Sequence, residues 1–398
     1  MYVNRKLADK AKGLLGQFHV LLVTGARQSG KSTLLRKIFP DHKYLSLDDL
    51  RIRSQANEEP ASFFDYYQSP VIIDEVQYAP DLLPYIKLAV DENKFCETSS
   101  SYILTGSQKF AVMDQIQESL AGRMAILNLN TLSVEELRDQ DLDLPAWTEI
   151  VYRSLYPEPY LNAKLDLNLW FEGYVQAWLN RDIRQNLKNS HLRVFDKFLQ
   201  LIAVRLTGEE NYNSIAKELG VSRLTVQSWA ALLEKTQILY SLQPYHSNLG
   251  KRIIKSAKVY FFDTGLANYL SGFLNPDQIS NNIMTGPLFE NFIVSEVLKF
   301  FDNRGIKAPL YFFRENNGTE VDLIIDLKDR LLAIEIKSTS MPNKSHIKSL
   351  LRFAELSDKP VVNLLVCNSG KELKLDNLVR VVPWQDLSLV LRELTQHR

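Results

Sequence analysis

Apolar runs of five or six residues recur through the first third of the chain, separated by stretches with helical spacing. Residues 19–24, 43–47, 70–75, 101–106 and 124–129 read as strands, and 32–39 and 81–93 as helices between them. The strands are apolar at successive positions, so both faces of each must be covered. Strand and helix in alternation predict a parallel sheet with helices on both sides. After residue 130 the pattern changes. Residues 132–137 read as a capped helix, the acidic stretch 139–145 and the prolines at 157 and 159 as connecting loop, and 169–206 as amphipathic helix.

Residues 212–242 read as a helix-turn-helix. Gly220 takes the turn, Ser222 caps the second helix, and Val226, Trp229, Ala230 and Leu233 give it an apolar face, with Trp229 in the core. Two β-rich stretches, 238–242 and 258–262, flank a basic loop, as in a winged helix. The last third reads helix (287–302), strands (310–315, 320–327, 331–338), helix (343–356), strands (361–367, 378–382). These shifts suggest three domains: 1–150, 151–275 and 276–398.

Chemistry enters at the end of the first strand. Gly25-Ala26-Arg27-Gln28-Ser29-Gly30-Lys31-Ser32 fits G-x-x-x-x-G-K-[ST], a phosphate-binding loop between strand and helix. Backbone N–H groups of such a loop converge on phosphate oxygens at a positive helix end. The expected nucleotide contacts are Gly25 to Ser32 together with Thr33, with Lys31 reaching the β/γ-phosphates and Ser32 on Mg²⁺. The apolar strand 71–73 delivers Asp74 to the same Mg²⁺, and Glu75 can orient and deprotonate the attacking water. Thr105-Gly106-Ser107-Gln108 ends the fourth strand, where this fold class places a polar γ-phosphate sensor; Ser107 is the expected one and Gln108 the alternate, with an ordinary strand-to-loop turn as the competing reading. Arg123 is a candidate for sensing phosphate within the chain or across a subunit interface, with a surface salt bridge as the alternative.

The residues from Arg181 to Lys258 hold 13 Lys/Arg against six Asp/Glu. Lys251, Arg252, Lys255 and Lys258 fall in the proposed wing, and Arg223, Thr225, Gln227 and Ser228 on or near the exposed side of the second helix. This is a workable footprint for a nucleic-acid backbone, DNA foremost. A protein contact or a lid behind the nucleotide site is the competing reading. Arg181 and Arg184 are candidate arginine fingers for a neighbouring subunit.

In the last third, Asp322 lies on one strand and Glu335-Ile336-Lys337 on the next, with Glu335 and Lys337 on one face. Glu290 on the preceding helix adds a carboxylate. The helix-strand-strand-strand order with D…E-x-K resembles the PD-(D/E)XK nuclease fold. That resemblance implies a second Mg²⁺ or Mn²⁺ on Glu290, Asp322 and Glu335, with Lys337 stabilising charge on the phosphorane.

Residues 15–130 resemble an AAA-type ATPase. The whole chain resembles a prokaryotic family that joins such a domain to a winged helix and a C-terminal domain of unknown function. Leu120-Ala121-Gly122-Arg123, Arg181-Asp182-Ile183-Arg184, the run from Lys258 to Ala267, and Glu320-Val321-Asp322 carry the likeness. Asn130-Thr131-Leu132-Ser133 departs from it, where the family usually has proline before the leucine. The resemblance implies an α/β chain: an N-terminal P-loop AAA-type parallel sheet, a central helical and winged-helix domain, and a C-terminal restriction-endonuclease-like α/β domain.

Composition narrows the setting. With 45% hydrophobic and 24% charged residues and zero net charge, the chain of 398 residues is typical of globular proteins. Cys96 and Cys367 form no disulfide or zinc spacing, which favours a reducing compartment. There is no run of the roughly 18–20 apolar residues that spans a bilayer and no signal-type segment, so a cytoplasmic protein without a membrane partner is expected. The expected activity is Mg²⁺-dependent ATP hydrolysis, with ATP and ADP as ligands, driving or switching a nucleic-acid-linked activity that extends to nuclease cleavage. The alternative is an ATP-dependent regulatory switch whose C-terminal domain does not cut. A small-molecule kinase is disfavoured, because Asp74-Glu75 suits water activation. A homo-oligomer is compatible with the sequence.

Overall fold

The computed structural model describes residues 2–96, 101–106, 120–140, 142, 144–178, 192–246, 256–315, 318–371 and 373–395. They form two compact units. The first comprises Met1–Leu132 with Lys235–Gln237 and Asp302–Ile306; the second comprises Ser133–Glu234, Ile238–Phe301 and Lys307–Arg398.

The first unit is built on β1 (Val20–Thr24), β2 (Lys43–Ser46), β3 (Val71–Asp74), β4 (Tyr102–Gly106) and β5 (Met124–Asn128). Their order is β2-β3-β4-β1-β5, and every neighbouring pair is parallel. Val20, Leu22, Val71, Ile73 and Leu104 enter one core with Phe63, Leu82 and Ile86. Leu21, Val23, Ile72 and Ile103 enter the other, with Leu34 and Leu35 from the helix Lys31–Ile38. Burial on both faces is why these strands show no polar alternation. Because all five run the same way, Thr24, Asp74, Gly106 and Asn128 end on one edge of the sheet.

Three helices here escaped the sequence reading: Leu7–Leu15, Leu50–Glu58 and Pro60–Tyr66. Each buries only one or two side chains, too few for a periodic signal. Local features start two of them. Asp49 accepts from the Arg51 N–H, and Pro60 sits in the first turn of the third.

In the second unit, residues read as loop around 157–159 form the short helix Pro157–Leu161, since proline suits a first turn. Helices Tyr212–Leu219 and Arg223–Lys235 are joined through Gly220, at φ 67°, and capped by Ser222, whose Oγ accepts from the Thr225 N–H at 3.1 Å. Trp229 is buried against Phe195 and Phe198.

The second sheet comprises β6 (Leu239–Pro244), β7 (Lys258–Phe261), β8 (Leu310–Arg314), β9 (Glu320–Asp326), β10 (Leu331–Lys337), β11 (Val361–Cys367) and β12 (Val379–Pro383). The order is β12-β11-β10-β9-β8-β6-β7. The pairs β10–β11, β11–β12 and β6–β8 are parallel and the others antiparallel, so the sheet is mixed. The hairpin assigned to a wing thus extends the C-terminal sheet, through Gln243↔Tyr311 and Pro244↔Phe312. The helical middle and the C-terminal part share one compact unit. A closing helix, Leu387–Thr395, also went unread.

Candidate active site

The loop after β1 turns sharply into the helix Lys31–Ile38. Gly25 has φ +155°, and a Cβ there would lie 2.2 Å from the Leu129 carbonyl oxygen. Gly30 caps the helix at φ 94°, in the left-handed region. Glycine tolerates both conformations without a steric cost. No acidic residue occupies the first helical turn, so the positive helix end keeps its affinity for an anion. The Lys31 ammonium is buried and donates to the Gly25 and Ala26 carbonyls, each at 2.9 Å. The Ser29 hydroxyl oxygen is buried with no hydrogen-bond partner. These features fit a phosphate chain.

Asp74, at the end of β3, is the hub of the polar shell. Its Oδ2 accepts from Ser32 Oγ at 2.8 Å and from the Tyr44 hydroxyl; its Oδ1 accepts from Thr105 Oγ1. Asp74 and Thr105 are both buried. Burial, then the hydrogen bond and charge of Asp74, push the Tyr44 hydroxyl up to about 12, so it stays a donor at neutral pH. The serine and the carboxylate that the sequence assigned to Mg²⁺ are therefore in direct contact. The donor set, one hydroxyl and one carboxylate oxygen, suits a hard cation. Glu75 follows at φ 59° and accepts from Gln77 Nε2. Among the other residues assigned to the loop, Ala26 is buried while Gln28 and Thr33 are exposed.

The second unit gathers another charged cluster. Glu335 and Lys337 end β10, the register Ile334↔Leu323 brings Asp322 of β9 alongside, and Glu290 comes from the helix Thr285–Asp302. Lys337 Nζ lies 2.7 Å from Glu335 Oε1 and 3.5 Å from Asp322 Oδ2. Asp322 Oδ2 also accepts from the Ile336 N–H at 2.8 Å. Glu290 Oε1 accepts from Tyr260 at 2.7 Å and from Lys258 at 3.3 Å, and Lys258 also pairs with Glu320.

Burial, then the Asp322 charge, push the Glu290 carboxyl up to about 7 and that of Glu335 to about 8. Burial would lower both lysines, but the surrounding carboxylates outweigh it and raise them. Among the described residues no group of three or more His, Cys, Asp and Glu side chains is arranged as a ready metal cage. Ammonium groups are interleaved with these carboxylates.

The AAA domain family matches residues 17–138, the stretch that holds the loop, Lys31, Ser32, Asp74 and Glu75. The chain carries an AAA-type ATPase domain. Two domains of unknown function match the remainder, DUF8612 over residues 144–277 and DUF4143 over 285–387. Uncharacterized proteins of Mycobacterium bovis and Mycobacterium tuberculosis are each 26% identical over 382 residues, spanning 96% of this chain and 83% of the relative. An uncharacterized protein of Methanocaldococcus jannaschii is 22% identical over 429 residues, spanning 94% and 85%. A Walker-type ATPase of Pyrococcus abyssi matches in structure with TM-score 0.46 and 18% identity, over 68% of this chain and 96% of that one.

For Arg123 the structure shows the ion pair that was its alternative reading. Arg123 precedes β5, and its carbonyl pairs with the N–H of Val20 at the start of β1. It is therefore at the sheet edge opposite the phosphate loop, a strand length of roughly 15 Å away. Its guanidinium is bound to Asp91 at 2.6 and 2.9 Å. That placement favours the ion pair over a contact with phosphates bound in the same chain. Ser107, Gln108, Arg181, Arg184, Lys251, Arg252 and Lys255 lie outside the described residues.

Sequence reasoning passed over Tyr44, Thr105, Gln77 and Arg5. Arg5 is buried and donates to the Ser29 carbonyl at 2.9 Å and to the Asn130 and Thr131 carbonyls at 2.6 and 3.2 Å. It ties the phosphate loop to the segment after β5. Thr105, a polar residue ending an apolar strand, was the one with a readable signal. Among the described residues no helix is long and apolar enough to cross a membrane.

Proposed function

We propose that the AAA-type domain hydrolyses ATP with Lys31, Ser32, Asp74 and Glu75, and that this drives or switches an action on nucleic acid by the rest of the chain. The supporting observation is the Ser32–Asp74 contact of 2.8 Å at the sheet edge where the loop and Glu75 also lie. The loop amides and Lys31 bind the β- and γ-phosphates. Ser32 and Asp74 would hold Mg²⁺, which when bound offsets charge on the phosphate oxygens. Glu75 orients water and takes its proton, with Gln77 fixing the carboxylate. Glu75→Gln should retain nucleotide binding and lose turnover by about 100-fold or more. Unchanged turnover would remove Glu75 as the base.

For the second unit the proposal is metal-dependent phosphodiester cleavage at Asp322, Glu335 and Lys337. The fit to a divalent ion rests on two points. Glu335 Oε2 is buried without a partner. Glu290, Glu320, Asp322 and Glu335 also outnumber the two lysines, so an ion that displaces the protons held by Glu290 and Glu335 meets two uncompensated negative charges. One divalent ion would supply that charge. The interleaved lysines favour the second reading, in which this unit does not cut and ATP acts as a conformational latch.

Incubating the protein with supercoiled plasmid, linear duplex, single-stranded DNA and RNA, in Mg²⁺ or Mn²⁺ and with or without ATP, separates the two. Cleavage lost in Glu335→Ala supports the nuclease. No cleavage by ATPase-competent protein supports the latch. The exposed Arg223 and Ser228 of the helix-turn-helix are the proposed nucleic-acid contacts.

A further inference from the structure

Lys258 reaches the carboxylate cluster from β7, a strand that carries none of the D…E-x-K residues. Its side chain is only 5% exposed, against 35% for Lys337. A lysine that deeply buried persists only where carboxylates neutralise it. Glu290 lies 3.3 Å away, Glu320 closer still, and the ammonium also faces the Phe312 ring at 5.6 Å. Arg314 approaches Glu320 from the rim at 3.7 Å and is bound to Glu209 at 2.6 Å.

The cluster therefore has two halves. On one, Lys258 is closed in by Glu290 and Glu320. On the other, the more exposed Lys337 leans on Asp322 and Glu335, and Glu335 Oε2 has no partner. A divalent ion sharing the buried Glu290 oxygens with the Lys258 ammonium would meet strong cation–cation repulsion in a desolvated site. No such confinement opposes an ion beside Glu335 Oε2, because Lys337 has solvent to swing into.

We propose that Lys258 is a resident cation filling the Glu290–Glu320 half, so that the cluster takes one divalent ion, on the Asp322–Glu335 half, and never two. This rests on reading the cluster as a divalent-cation site. Lys258 is then a positioning residue: it holds Glu290 in place and sets the metal count.

The test is a Mn²⁺ titration of full-length, nucleotide-free protein in a Ser32→Ala background, reading free Mn²⁺ by electron paramagnetic resonance. The parent should bind one equivalent, Glu335→Ala none, Lys258→Arg one and Lys258→Met two. Without metal, Lys258→Met should melt below the parent, and Mn²⁺ should raise its melting temperature more than the parent's. If Lys258→Met does not fold, Lys258→Gln takes its place with the same expectation. One equivalent in both the parent and Lys258→Met, or two in the parent, overturns the role of Lys258 while leaving the metal site standing. No Mn²⁺ bound by either removes the metal reading itself.

Discussion

Replacing Thr105 by valine removes one hydroxyl and keeps the shape of the side chain. In the native structure that hydroxyl donates to Asp74 Oδ1, and Thr105 is fully buried, so no water takes its place. The opposite oxygen of Asp74 accepts from Ser32 and Tyr44. When Ser32 turns its hydroxyl oxygen to a cation, Thr105 and Tyr44 are left to hold the carboxylate. A hydrogen bond to a charged group is worth about 1.5–3 kcal/mol, or about 10–150-fold in an equilibrium constant. The Mg²⁺ concentration giving half-maximal ATPase activity should therefore rise by that factor in Thr105→Val. Nucleotide binding without metal should change little. Thr105→Ser, which keeps the hydroxyl, should behave like the parent. The assay is phosphate release at fixed ATP across a Mg²⁺ series. An unchanged Mg²⁺ midpoint in Thr105→Val, or equal defects in the valine and serine variants, would refute the positioning argument.

Gly25→Ala should cost about 2–4 kcal/mol and weaken nucleotide binding by about 100-fold or more, because its Cβ meets the Leu129 carbonyl at a left-handed φ; calorimetry and a fluorescent-nucleotide titration check both. Arg123→Ala should leave kcat within about twofold of the parent, since its half-buried ion pair with Asp91 lies at the sheet edge away from the phosphate loop. A large loss of turnover in steady-state assays would return Arg123 to the catalytic machinery through a neighbouring subunit. Metal-free protein should melt at falling temperature as pH rises from about 4.5 to about 8. Glu290 and Glu335 hold their protons to about 7 and 8 when folded, whereas unfolded carboxyls release them near 4.5. Their stabilisation is full below about 4.5 and gone above about 8, and Glu335→Gln should flatten the upper part of the curve in a pH series of thermal melts.

Much of the first unit was legible because its signals are local. A strand buried on both faces must be apolar throughout, and a loop that turns at Gly25 and Gly30 into a helix announces itself within eight residues. The helices Leu50–Glu58 and Pro60–Tyr66 were not legible, since each buries one side chain, the first starting at the Asp49 cap and the second at Pro60. Arg123 directly precedes β5, so in a parallel sheet it falls at the edge where the strands start, away from the loop that follows β1, and the ion pair offered as its alternative reading is the contact it makes.

The sequence alone determined the phosphate loop, the Asp74-Glu75 pair and the parallel sheet, since each follows from bonded neighbours or from the period of burial along one strand. Only the tertiary structure decided which groups complete those sites. Thr105 and Tyr44 meet Asp74 from 31 and 30 residues away, across strand register. Arg5 reaches the Asn130 carbonyl over 125 residues. Lys258 enters a carboxylate cluster whose other members follow it by 32 residues or more. Contacts of this kind are fixed by the packing of whole elements, and no spacing rule within a segment encodes them.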